Sequence, residues 1–198
     1  MYMLKLKGLT IPHEAIRQEI AGSPHWGGVK LRTTHEGTPH GQVTDLLLRF
    51  NRMQDSRASA LDDCETYPFK AWDQLFLCRQ VALDLMRHVE GVRLGRVMLT
   101  HLPHGGRITP HVDAGTPATY YRRYHCVISC GPGLNRFRVD KDWVDMRPGE
   151  VWWVNNAKEH EVVNESGSER VHLIVDIKED HELDLLDPAQ FDLTKKAM

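Results

Sequence analysis

The stretch GRVMLTHLPHGGRITPHVD, residues 95–113, holds in one place the two patterns that organise the rest of the chain. Residues 95–102 form a short run with an apolar centre, of the length of a β-strand. Pro103-His104-Gly105-Gly106 ends it, because proline cannot continue a hydrogen-bonded ladder and glycine adopts turn conformations at little cost. Past that turn, His111-Val112-Asp113 sits on an extended segment. Alternate residues of such a segment point to one side, so the imidazole of His111 and the carboxylate of Asp113 converge on a common point.

Working outward from this stretch, the same strand-and-turn texture continues. Strand-like runs cover residues 124–130, 135–139, 143–146, 150–154, 161–164 and 170–177. Gly131-Pro132-Gly133, Arg147-Pro148-Gly149 and Glu165-Ser166-Gly167 separate several of them. Many short strands punctuated at this spacing predict an antiparallel sandwich or barrel. Upstream the texture is different. Residues 12–21 read as a short helix with proline near its start, and residues 22–45, rich in Gly, Thr, His and Pro, read as loops. A short strand is expected over 46–50, followed by a polar, irregular segment over 51–68 that reads as a mobile loop or lid. Trp72, Leu75, Phe76, Arg79, Leu83 and Met86 recur at three- and four-residue spacing, which predicts a helix over 71–88 bracing one face of the sheet.

The fold class expected is therefore mainly β with N-terminal helices (α+β): a double-stranded β-helix, or jelly roll, of cupin-like form. The chain of 198 residues reads as a single domain. In it, residues 1–90 are helical support and loops, 91–178 the double-stranded β-helix core, and 179–198 a loosely packed C-terminal tail.

Composition narrows the function classes. A hydrophobic share of 41% with 26% charged residues belongs to a globular chain, not a disordered one. A net charge of -2 does not favour nucleic acid as a partner. No apolar run approaches the roughly 18 residues of a membrane span, and the N-terminus lacks a secretory pattern. A soluble, cytoplasmic protein with reduced cysteines is expected. Cys126 and Cys130, four apart on a strand-like stretch, read as core packing. Histidine is the oddity, with 12 in the chain.

Two histidines and one carboxylate on one face of an octahedron leave three positions open, which suits iron(II) oxygenase chemistry. A His-x-Asp/Glu triplet alone is weak. A second one, His88-Val89-Glu90, falls at the end of the predicted helix and reads as a helix-terminal charge group. His111 is distinguished by residues further along the chain. His160 lies 49 residues later, near the start of a strand, and ten residues beyond it Arg170 opens the apolar run Val171-His172-Leu173-Ile174-Val175. A buried arginine beside a metal calls for an anionic partner, and a dicarboxylate supplies one through a bidentate pair.

With these residues in view, the sequence resembles the aspartyl/asparaginyl β-hydroxylase family of iron(II)/2-oxoglutarate-dependent oxygenases, which also contains prolyl cis-hydroxylases. The resemblance is carried by residues 100–113 (THLPHGGRITPHVD), Arg123-Tyr124-His125, Glu159-His160-Glu161-Val162, and Arg170 with Leu173-Ile174-Val175-Asp176. It implies a hydroxylase that uses iron(II), 2-oxoglutarate and dioxygen. His111 and His160 match the family's two metal-binding histidines, and Asp113 completes the set His111, Asp113 and His160. Arg170 matches the arginine that pairs with the distal carboxylate of 2-oxoglutarate, and Thr100 a hydroxyl residue that assists it. Arg123 and His125 match an Arg-x-His pair that contacts the cosubstrate. One departure stands out: the animal aspartyl/asparaginyl hydroxylases lack a carboxylate two residues after the first histidine, whereas this chain has Asp113, as prolyl hydroxylases do. Transfer of the aspartyl substrate is weakened accordingly.

Blander readings exist for these residues. Arg170 could be a structural ion pair with Glu150 or Asp176, and residues 120–124 a basic-aromatic surface patch. Trp143, Trp152 and Trp153 read as core and barrel wall. A cupin-type metalloenzyme not using 2-oxoglutarate, or a non-catalytic β-sandwich binding module, would share the fold. The expected substrate is a small molecule or peptide, an amino acid or amino-acid side chain. Residues 51–68 and 120–124 are the segments where its specificity is expected to lie. The sequence leaves the oligomeric state open.

Overall fold

Alternation along three central strands explains the architecture. The structure is a computed structural model and describes residues 2–30, 32–52 and 63–179, together with the backbone of 191–192. In chain order its elements are β1 (Met3–Leu6), α1 (His13–Ile20), β2 (Thr44–Phe50), β3 (Tyr67–Pro68), α2 (Lys70–Gln74), α3 (Phe76–His88), β4 (Gly91–Leu102), β5 (Arg107–His111), α4 (Thr116–Tyr120), β6 (Arg122–Ser129), β7 (Leu134–Val139), β8 (Asp142–Asp145), β9 (Val151–Val154), β10 (His160–Glu165), β11 (Arg170–Glu179) and β12 (Phe191–Asp192). The larger sheet runs β12-β1-β9-β6-β11-β4-β2-β3 and the smaller β5-β10-β7-β8, with every pairing antiparallel. These are the two faces of a double-stranded β-helix.

In β11 the odd residues Val171, Leu173, Val175 and Ile177 join a core that includes Ile16, Ile20, Val81 and Leu85 of the helices. Val97 and Leu99 of β4, and Tyr124, Cys126 and Ile128 of β6, enter the same core. Each fully buried aliphatic side chain there contributes about 1.5–3 kcal/mol. The intervening residues face the smaller sheet. Near Val127, Leu102 and Trp152 that space is apolar, filled by Phe137, Val139 and Val162. Between the sheets the same inner face also carries Thr100, Arg123, His125, Arg170, His172 and Asp176, all buried. One face of the sheet thus builds the core, and the other builds a polar chamber.

The helix expected over 71–88 is two helices, interrupted at Leu75, whose φ of -99° and ψ of 80° are not helical. The cause is tertiary. The Glu19 carboxylate, from α1, accepts the backbone N–H groups of Leu77 (2.7 Å) and Cys78 (3.1 Å). Those N–H groups lie in the first turn of α3 and have no partner within the helix, and an anion there is stabilised by the helix dipole. The strand β5 was read from sequence only as an extended link, and β1 was not anticipated. β1 joins the larger sheet between β9 and β12, pairing Leu4 with Trp153 and Leu6 with Phe191.

The turn Gly131-Pro132-Gly133 is set by close approach: a Cβ on Gly131 would sit 2.0 Å from the Ser166 carbonyl oxygen. His88-Val89-Glu90 lies where α3 ends, as expected. Cys126 is buried in the core, while Cys130 lies half-buried beyond the end of β6, and both are free thiols. Trp152 and Trp153 are buried on opposite faces of β9. Trp143 is half-buried, with the Arg136 and Arg138 guanidinium groups over its ring. Most of the expected lid (residues 53–62) and most of the expected tail (180–190 and 193–198) lie outside the described residues. No described helix is long and apolar enough to cross a membrane.

Candidate active site

The smaller sheet sets the two histidines. β5 and β10 are adjacent antiparallel strands, and their register places His111 directly opposite His160. Both rings therefore project from the same patch of sheet, with centroids 4.2 Å apart. Each ring is oriented by the carbonyl two residues before it. The His111 Nδ1–H donates to Thr109 O at 2.7 Å, and the His160 Nδ1–H to Lys158 O at 2.9 Å. A carbonyl only accepts, so the proton is held on Nδ1 and the Nε2 lone pair of each ring is left for another partner.

Asp113, two residues past the end of β5, supplies the third group. Its backbone N–H donates to Asn156 O at 3.1 Å, and the Asn156 side-chain amide donates to its Oδ2 at 2.9 Å. Its Oδ1 lies 3.5 Å from His111 Nε2 and 3.9 Å from His160 Nε2. The three ligand atoms all fall within 4.8 Å of one another. His111 Nε2 is buried with no hydrogen-bond partner, a donor atom already stripped of water and waiting for a cation. Burial alone would push the Asp113 carboxyl up, but the Arg123 guanidinium, His111, His160 and Asn156 hold it well below the ordinary carboxylate range. Burial likewise lowers His160 to about 4, against the opposing pull of Asp113. A neutral imidazole at His160 and an ionised carboxylate at Asp113 are protonation states that metal binding requires.

Behind the triad stands a buried ion-pair chain. Arg123 donates from Nε and Nη2 to the two Asp176 oxygens at 2.8 and 2.9 Å, and from Nη1 to Asp113 Oδ2. The fork fixes the guanidinium, which in turn fixes the Asp113 carboxylate.

Arg170 is held differently. It is 1% exposed, with Nε donating to Asn135 Oδ1 at 2.9 Å and Nη2 to His172 Nδ1 at 3.0 Å. Among the described residues no carboxylate pairs with it. Asp176 is engaged with Arg123, and Glu150 with Lys5. Burial pushes Arg170 down to about 9. His125 and His172 beside it are pushed well below the usual histidine range, by burial first and Arg170 next, so the neighbours of the guanidinium are neutral. The charge arithmetic is simple. Arg123 and Asp176 cancel; a divalent ion, Asp113 and Arg170 then sum to +2, which a dicarboxylate dianion neutralises.

The seven residues singled out from sequence all line one cavity: His111, Asp113, His160, Arg170, Thr100, Arg123 and His125. Ile108, Phe137, Val162 and Ile174 form its apolar walls. Arg123 and Tyr124, read alternatively as a surface patch, are both buried on opposite faces of β6. Sequence reasoning missed Asn135, Asn156, His172, Asp176, Arg32 and His40. His172 and Asp176 were within reach, because they repeat the period-two polar pattern that Arg170 begins. Asn135, Asn156, Arg32 and His40 carry no local signal. They reach the site from loops and from the smaller sheet.

Residues 50–180 match the family model for aspartyl/asparaginyl beta-hydroxylase. No curated protein sequence matches the chain. Among solved structures, a 2OG-Fe(II) oxygenase family oxidoreductase from Burkholderia pseudomallei is similar with a TM-score of 0.56 at 14% identity, covering 89% of this chain and 84% of that one. A prolyl-4-hydroxylase from Pseudomonas putida gives a TM-score of 0.45 at 16% identity, over 90% and 93%. A cupin domain from Bordetella pertussis gives 0.34 at 20% identity, over 43% and 83%. The Burkholderia structure shares the fold across nearly the whole chain. Taken with the sequence match and the His-Asp-His cluster, this makes the protein an iron(II)- and 2-oxoglutarate-dependent oxygenase, with dioxygen as its third reactant. Within that class the chain belongs to the aspartyl/asparaginyl β-hydroxylase family.

Proposed function

We propose that this oxygenase hydroxylates an unactivated C–H bond of an amino acid, free or as a side chain in a peptide, with His111, Asp113 and His160 as its iron ligands. The observation that carries the reading is a buried arginine, with no carboxylate partner among the described residues, in the same chamber as three converging metal donors. The donor set, two imidazole nitrogens and one carboxylate oxygen, suits a non-haem iron(II) site with open positions. When bound, iron(II) with 2-oxoglutarate and dioxygen supplies the oxidising power for C–H hydroxylation, the keto acid leaving as succinate and carbon dioxide.

The chain's own residues bind, orient and exclude water. His111 and His160 present Nε2 because their Nδ1 protons are held by backbone carbonyls. Arg123 and Asn156 keep Asp113 ionised and aimed. Arg170, held by Asn135 and His172 with Thr100 lining the same chamber, would take the distal carboxylate of 2-oxoglutarate. His125, neutral and buried between Phe137 and His172, bounds the cosubstrate pocket. Arg123 reaches the cosubstrate only with what its engagement with Asp176 and Asp113 leaves, so its main contribution is to position the carboxylate ligand. Ile108, Phe137, Val162 and Ile174 keep the chamber dry, which strengthens each of these charged contacts.

Anaerobic addition of iron(II) and 2-oxoglutarate should give the visible metal-to-ligand charge-transfer band of the chelate. Succinate release from 2-oxoglutarate should then be stimulated by members of a panel of amino acids and peptides. A protein that binds iron(II) yet gives no band with 2-oxoglutarate would overturn the assignment of these residues.

A further inference from the structure

The loop between α1 and β2 lies ahead of the residues that match the family and brings side chains of its own to the site. Arg32 and His40 from this loop line both the inner chamber and an outer pocket of about 250 Å³ in front of the metal ligands. The His40 ring meets His111 edge-on at 4.8 Å, which places it at the neck between the two spaces. The outer pocket is strongly biased in charge. Arg32, Arg96 and Arg123 line it, and Asp113 is the one carboxylate among its lining residues. The rest of its wall includes the aliphatic side chains of Pro39, Val112 and Ala118.

Arg32 is anchored on one edge only. Its Nε donates to Asp45 Oδ2 at 3.0 Å, and Asp45 is buried on β2. Among the described residues, its two Nη groups have no partner. A guanidinium accepts one carboxylate side-on and a second end-on through its paired Nη groups. Asp45 holds the side and leaves the end open. Arg123, by contrast, is engaged with Asp176 and Asp113. The pocket is also smaller than the roughly 300–1,000 Å³ of sites for drug-sized ligands. That volume suits a body of single-amino-acid size, and the open end of the Arg32 guanidinium suits a free carboxylate.

Resting on the function proposed above, we infer that the substrate is a free amino acid whose α-carboxylate is held end-on by Arg32, with His40 flanking it at the neck and its side chain directed toward the metal. The specificity determinant is then a loop residue of this chain outside the family-matched segment.

The test is equilibrium binding to the anaerobic iron(II)·2-oxoglutarate holoenzyme. The probes are the twenty common L-amino acids, their α-carboxamides and peptides capped at both ends, read by calorimetry and by perturbation of the charge-transfer band. At least one amino acid should bind, and its α-carboxamide should bind at least about tenfold more weakly, as expected for loss of a charge-assisted pair. Arg32→Lys keeps the charge and the contact with Asp45 but loses the fork. It should weaken the acid about tenfold, leave the amide unchanged and leave 2-oxoglutarate affinity unchanged. Arg32→Met/Asp45→Asn, which avoids stranding a buried carboxylate, should abolish the preference for acid over amide. The inference is overturned if acid and amide bind equally, if capped peptides bind and free amino acids do not, or if no amino acid binds a holoenzyme that holds 2-oxoglutarate. Failure of the wild-type protein to hold 2-oxoglutarate would overturn the proposed function itself, and the inference with it.

Discussion

In the proposed site, replacing Arg170 by Met separates the cosubstrate's anchor from the metal's. The guanidinium is buried, touches none of the three metal donors, and has neutral partners in Asn135 and His172. Removing one member of a buried, hydrogen-bonded charge pair costs about 2–5 kcal/mol. At 1.4 kcal/mol per tenfold, the 2-oxoglutarate Kd should rise roughly 30- to 4,000-fold. Iron affinity should stay the same or tighten slightly, since a nearby positive charge is lost. The ligand-free fold should change little. Met removes the desolvation cost of a buried cation but leaves Asn135 Oδ1 and His172 Nδ1 without their donor, at about 1–3 kcal/mol each. These terms oppose each other, so Tm should shift by no more than about 5 °C. Anaerobic titration of the charge-transfer band gives the 2-oxoglutarate affinity, and competition with a chelator gives the iron affinity. Equal losses of both, or a 2-oxoglutarate Kd within threefold of wild type, would refute the role given to Arg170.

The same geometry sets several other outcomes. Asp176→Asn leaves the buried Arg123 fork without its charge partner and should destabilise the fold by about 3–5 kcal/mol in urea titration; a loss under 1 kcal/mol would show that the pair is dispensable. Asn156→Ala should weaken iron binding about tenfold to a hundredfold, with 2-oxoglutarate affinity of the iron-loaded protein unchanged. His125, His160 and His172 are held neutral by burial, His160 at about 4 and the other two well below their ordinary value. The unfolded chain binds protons at these residues near pH 6.5 and the folded chain does not, so stability of the metal-free protein should fall as pH drops from about 6.5 toward 4. His40, lowered to about 2 chiefly by burial, adds a fourth, so the slope should approach four protons, up to about 1.4 kcal/mol per pH unit for each histidine; a flat denaturant midpoint between pH 7 and 5 would contradict this. Gly131→Ala would drive a Cβ into the Ser166 carbonyl and should cost several kcal/mol, whereas Gly167→Ala, which meets no neighbour, should cost only the strain of its positive φ.

Local sequence was most informative where a side chain's surroundings are set by its neighbours along the chain. Strand β4 and strands β6 to β11 were legible because turn residues stop a ladder wherever they fall and apolar runs between them need a sheet to bury in. Convergence of His111 and Asp113 came from strand periodicity, and the resemblance to a known family placed His160 and Arg170 beside them. The break at Leu75 was not legible, because the group that restarts the helix is the Glu19 carboxylate, more than fifty residues away in sequence. Arg123 read only as a possible cosubstrate contact, since nothing near it in sequence reveals that Asp176, on the neighbouring strand, takes both prongs of its fork.

The division has one physical cause. Periodicity and turn chemistry act over a few residues, so the chain by itself determined most of its strands and its donor residues, and the chemical class came from the resemblance of its motifs to a known family. Which charges are compensated depends on which strands lie side by side and which loop closes over them. Register set His111 against His160, strand packing left Arg170 with no carboxylate among the described residues, and the loop before β2 brought Arg32 and His40 to the mouth of the site.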